Sequence, residues 1–101
     1  MDRSIPLTLV SFSYETDAIG QKIKIETERD VFADIRSVTR SEWSAAAEQG
    51  LKAELVAVMF APDYHGEQIA IVSGVRYGVY RTFSNANNET IELYLEKKVG
   101  V

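Results

Sequence analysis

Cysteine is missing from all 101 residues, which excludes disulfides and thiolate metal sites and agrees with a reducing compartment. Histidine occurs once, as His65. A metal site wants three or four ligands converging from different elements, so no metal and no cofactor are expected. No apolar run approaches the roughly 18 residues that a membrane span needs. Met1–Pro6 has no basic segment leading into an apolar stretch, so no secretory signal is expected and the chain is placed in the cytoplasm. Positive charge is not clustered either. The formal net charge is −4 and the acidic excess is spread along the chain, which argues against tight binding of free nucleic acid.

Reactive motifs are equally scarce. No serine lies in a Gly-x-Ser-x-Gly elbow. Gly74 and Gly78 fall in and just after a hairpin turn rather than before a helix, so neither nucleotide fingerprint is met. Asp63, Tyr64, His65 and Glu67 form a polar group read as a solvated loop. Asp30, Asp34, Glu54, Glu92 and Glu96 alternate along strands and read as outward-facing solubilising residues. The chain is not expected to be an enzyme.

What is present is strand chemistry. A composition of 46% hydrophobic and 26% charged residues is that of one folded domain, residues 1–101. Leu7–Tyr14 is rich in strand formers, and Gln21–Thr27 alternates Ile23 and Ile25 with Lys22, Lys24 and Glu26, so the two predict a hairpin around Ile19-Gly20. Val31–Val38 reads as a third strand. Lys52–Phe60 is another, and its continuous apolar stretch from Leu55 requires burial on both faces, in the core or against another subunit. Pro62 and Gly66 mark a loop. Glu67–Val72 and Val75–Phe83 flank a Ser73-Gly74 turn, and an Asn85-Ala86-Asn87-Asn88 loop leads to the alternating Ile91–Glu96.

One helix is predicted, between the third and fourth strands. Thr39 and Glu42 have capping-box spacing, with Ser41 an equal cap candidate; Trp43, Ala46 and Ala47 share a face, and Gly50 ends the helix. The expected fold is mainly β: a small antiparallel six-stranded barrel with one inserted helix. Trp43, Phe60, Tyr77 and Phe83 are assigned to the core, while Tyr94, beside Glu92 and Glu96 on its strand, should project outward.

The succession Arg29–Ile35, Ser41–Ala46, Lys52–Leu55, Val75–Tyr80 and Ile91–Val101 resembles the head-tail joining proteins of tailed bacteriophages, also called head closure or stopper proteins. The likeness runs from about Pro6 to the end and lies in order and length rather than in one motif. It implies a small β-barrel that assembles as a ring beneath the portal and adaptor of a filled capsid, closes the DNA channel and offers a docking surface for the tail. The implied partners are further copies of the chain, the portal-adaptor protein and a tail completion or tail terminator protein. Double-stranded DNA would pass without being gripped, and no membrane would be involved. The implied location is the host cytoplasm during assembly and then the virion. The family's plug maps to Ser37–Gly50, with Arg40, Ser41, Glu42, Ala46, Glu48 and Gln49 as candidate channel-facing residues, although the helix formers at Ser44–Gln49 depart from a loop-like plug. Candidate protein contacts are Phe12, Tyr14, Val58, Phe60, Tyr64, Tyr80 and Tyr94.

A rival reading is a β-barrel binding module for a peptide or single-stranded nucleic acid. It would use Arg76 and Arg81 near Tyr77, Tyr80 and Phe83, the one place where basic and aromatic residues gather.

Overall fold

The computed structural model describes residues 5–84 and 89–97. The expected Asn85–Asn88 loop and the closing residues from Lys98 on lie outside them. Six antiparallel strands form a closed barrel in the order β1-β2-β3-β6-β5-β4. They are β1 (Ile5–Thr16), β2 (Lys22–Ser37), β3 (Ala53–Phe60), β4 (Ile69–Val72), β5 (Val75–Ser84) and β6 (Thr90–Lys97), with helix α1 (Arg40–Glu48) between β2 and β3. Closure leaves the barrel body without the unpaired edges of a flat sheet.

The helix therefore follows the second strand, not the third. The runs read as Gln21–Thr27 and Val31–Val38 belong to one strand of 16 residues, Lys22–Ser37, because Glu28-Arg29-Asp30 between them keeps the two-residue alternation and contains neither glycine nor proline; the seven runs named from the sequence thereby become six strands. Every residue from Lys22 to Ala33 is matched to β1.

The core is built by alternation. Leu7, Leu9, Val31, Ala33, Ala57, Met59, Ala70, Val72, Tyr77, Ile91, Leu93 and Leu95 fill the barrel. Opposite faces of the same strands carry Thr8, Phe32, Phe60, Glu92 and Tyr94. Small Ala33, Ala57 and Ala70 let the walls of so narrow a barrel approach, while Leu9, Met59, Leu93 and Leu95 fill the space between. Tyr77 is buried as expected, but Trp43, Phe60 and Phe83 are exposed.

Each of these three corrections has a cause. Phe60 follows the inward Met59 and so takes the outer face. Phe83 would share the inner face with Tyr77 and Val79 if alternation were unbroken, but the register shifts between Val79 and Arg81. This bulge at Tyr80 sends Arg81 and Phe83 outward, opposite Tyr94 and Glu92. Trp43 faces away because Glu42 and Ala46 turn toward the barrel. Ala46 is the buried residue of the helix.

Thr39, not Ser41, is the N-cap, its hydroxyl accepting the Glu42 N–H at 3.2 Å. The Glu42 carboxylate bonds Tyr80 and Arg81 on β5 rather than reaching back over the cap. At the other end Gly50 takes a left-handed φ of 77°, and Leu51 N–H reaches back to the Ala46 carbonyl, closing the helix. Nine residues are too few for a stable isolated helix. Its place depends on what it packs against.

Candidate functional site on the helix wall and hairpin arm

The expectation that Leu55–Phe60 is covered on both faces holds as far as Met59. Ala57 and Met59 enter the core, and Val56 and Val58 lie buried on the outer face. What covers that outer face is the chain's own helix. Between α1 and the β3–β6 wall runs a groove of about 430 Å³, lined by Arg36, Ser37, Thr39, Ser41, Glu42, Ala45, Val56, Val58, Glu92 and Tyr94.

Glu42 anchors the helix there. Its Oε2 accepts from the Tyr80 hydroxyl at 2.5 Å and from Arg81 Nε at 3.3 Å, and its Oε1 accepts from Arg81 Nη2. The β5 bulge makes this possible by placing two consecutive residues, Tyr80 and Arg81, on the same outer side. The Arg81 guanidinium also stacks 3.7 Å from the centre of the Tyr94 ring, while the Tyr80 and Tyr94 rings meet at a tilt, 6.3 Å apart. Tyr94 in turn donates to Glu92 Oε1 at 2.7 Å.

The electrostatics follow from these contacts. The hydrogen bond from Arg81 holds the Glu42 carboxyl below its ordinary value, against the opposing effect of burial and with help from Tyr80. Burial, and then the bond to Glu42, push the Tyr80 hydroxyl far up. Tyr94 is raised by its bond to Glu92 and then by burial. The cluster therefore stays a carboxylate, a guanidinium and two neutral phenols throughout the neutral range. It is a charge-assisted clamp.

A second lock closes one end of the barrel. Arg29 lies opposite Leu9 on the inner face and donates to Glu67 Oε2 from Nη2 at 2.6 Å and Nε at 3.1 Å. Glu67 Oε1 accepts the His65 N–H, and Tyr64 donates to the Glu67 carbonyl at 2.6 Å. Glu67 is only 5% exposed, so the solvated-loop reading fails for this residue, although His65 is exposed. Burial is the largest influence on Glu67 and would raise it. The bonds from Arg29, its own N–H and that of His65 together outweigh burial and leave it lowered.

The third feature is an arm. β4 pairs with β1 at Leu7–Val10 only, and β3 pairs with β2 only from Ala33 to Ser37. Beyond Val10 the β1–β2 hairpin continues to Thr16 and Lys22 as a two-stranded ribbon, about 20 Å of extended chain. The molecule measures 50 × 30 × 26 Å. Tyr14 on this arm is 65% exposed and Ile19 at its tip 78%. Lys24 Nζ sits 4.1 Å from the centre of the Phe12 ring.

The contact residues expected from sequence thus separate. Tyr14 and Phe60 are exposed and Phe12 is half-buried under Lys24. Val58 is 3% exposed and unavailable to a partner, because α1 and the wall cover it. Tyr64, Tyr80 and Tyr94 are half-buried with their hydroxyls used internally. Of the segment mapped to the plug, Ala46 is buried and Glu42 is clamped, whereas Arg40, Ser41, Glu48 and Gln49 are exposed. Among the described residues no group of three or more His, Asp or Glu is placed to hold a metal ion. Sequence reasoning missed the clamp and the Arg29–Glu67 pair, whose members lie 38 or more residues apart. The arm had a signal in the unbroken alternation of Lys22–Glu28.

The chain matches no protein-family model, and no curated protein matches it.

Proposed function

We propose that this chain is a structural subunit of a phage or prophage head-tail connector, acting as a ring that closes the filled head and presents a docking surface to the tail. The observation that carries the reading is the arm. A closed barrel satisfies its own backbone, yet this one extends a ribbon with Tyr14, Ile19 and Ile23 in solvent, surface that gains stability from a neighbouring protein.

Two further features support it. The resemblance to head closure proteins extends over nearly the whole chain. The net charge of −4 suits a wall along which DNA phosphates slide without being held. The rival binding-module reading loses its best candidates, because Arg81 is taken by Glu42 and Tyr94, and Arg76 reaches Glu26 at 3.4 Å. In this proposal α1 rests on the outer wall, and the exposed Arg40, Ser41, Glu48 and Gln49 are its channel-facing candidates.

Co-sedimentation with portal-adaptor complexes tests the proposal. The protein should pellet with them in a fixed ratio. A shift of a labelled oligonucleotide that weakens with salt, with no binding to the complexes, would favour the binding module instead.

A further inference from the structure

The arm leaves a free sheet edge. From Lys22 to Phe32, β2 has β1 on one side and no strand on the other among the described residues, since pairing with β3 begins at Ala33. Residues 22–28 are exposed apart from the half-buried Ile25. Their unpaired backbone groups form a template for an added strand.

The sequence of this edge, Lys22-Ile23-Lys24-Ile25-Glu26-Thr27-Glu28, is complementary to itself. When two copies run antiparallel with Ile25 opposite Ile25, Lys22 faces Glu28 and Lys24 faces Glu26, on both sides of the two-fold axis. Ile23 then faces Thr27 on the other surface of the ribbon. Moving the register by two residues sets Lys24 against Lys24 or Glu26 against Glu26. Moving it by one sets charged side chains against the isoleucines. A single register satisfies every charge.

We propose that free subunits of this protein pair two-fold through the β2 edges at residues 22–28, the two arms joining into a four-stranded antiparallel sheet. The groups already near these charges permit it. Arg76 engages one oxygen of Glu26, at 3.4 Å, leaving Oε2 for the second copy's Lys24. The Lys24 ammonium over Phe12 keeps donors to spare. The contact is isologous and closes at two subunits, so it cannot build a ring. It occupies the arm in the unassembled protein, and it holds or fails independently of the connector proposal.

Sedimentation equilibrium on the full chain tests it. The wild type should show a monomer–dimer equilibrium that weakens with added salt. Lys22→Glu with Lys24→Glu gives an all-acidic arm, and Glu26→Lys with Glu28→Lys an all-basic one. Each alone should self-associate about tenfold or more weakly than the wild type, while an equimolar mixture of the two should form heterodimers. Circular dichroism confirms that each variant is folded; if a double variant is not, Lys24→Glu mixed with Glu26→Lys carries the same test. A wild type that stays monomeric up to about 1 mM, or variants that dimerise as the wild type does, or a mixture that does not pair, would overturn the proposal.

Discussion

Glu42 joins the helix to the barrel through bonds with Tyr80 and Arg81, and Glu67 joins the β3–β4 loop to β2 through Arg29. Both carboxyls are held below the ordinary value of 4.5. A group depressed in the folded state contributes stability fully above its unfolded value and loses that contribution as pH falls through the folded one. Thermal unfolding followed from pH 7 downward should therefore show melting temperature flat at first and dropping below about pH 4.5. Glu42→Gln combined with Glu67→Gln should lower stability at neutral pH and flatten the acid decline. An unchanged acid slope in that variant would show that other groups cause it. Arg29→Met is the more damaging single change, because it leaves the Glu67 carboxylate buried without its cation. Denaturant unfolding should show a loss toward the lower end of roughly 3–5 kcal/mol, since Arg29 itself is one-third exposed.

The helix and the bulge are the elements that shape the outer wall. Thr39→Ala removes the N-cap and should cost about 1 kcal/mol, measured by urea unfolding. Deleting Tyr80 removes the extra residue of the bulge and leaves Arg81 outward opposite Tyr94, so it should cost only the Tyr80 bond to Glu42 and the ring contact with Tyr94. A cooperative transition at lower denaturant is the expected result, and loss of the transition would show that the bulge itself is needed to close the barrel. The strands were legible where alternation was clean. Ile91–Glu96, Val75–Phe83 and the Ser73-Gly74 turn could be placed from their residues. The helix start at Thr39 was legible from capping chemistry. Two features were hidden. A sixteen-residue β2 read as two strands because Glu28-Arg29-Asp30 is polar on both faces, and the inward Arg29 is tolerated in the barrel wall only through its pairing with the distant Glu67. The bulge at Tyr80 carries no glycine or proline, so nothing local announces it, and the positions of Phe83 and Arg81 depended on it. The helix rotation was likewise set by Glu42 and its partners on β5, a contact between segments 38 and 39 residues apart. That is why Trp43 looked like a core residue and is not one.

For the molecule as a whole, the division is between a self-sufficient barrel and an arm that satisfies only part of its own surface. The core residues lie within the barrel body, so the arm can be shortened without unfolding it. Replacing Tyr14–Lys24 with Asn-Gly keeps the Ser13–Ile25 pair as the hairpin end, a hydrogen-bonded pair in register with Asp17 and Gln21, and supplies a two-residue turn of the right hand. This variant should retain the cooperative unfolding of the wild type. If it does not fold, the arm is part of the barrel's own stability and the division fails. In the connector proposal the same variant should lose its hold on neighbouring proteins while keeping its fold. Electron microscopy of purified portal-adaptor complexes, with the wild type added and then with the arm-shortened variant, tests this most directly. An added ring of density beneath the adaptor is expected with the wild type, and its absence or marked loss with the shortened arm. Complexes that remain bare when the wild type is present in excess would contradict it.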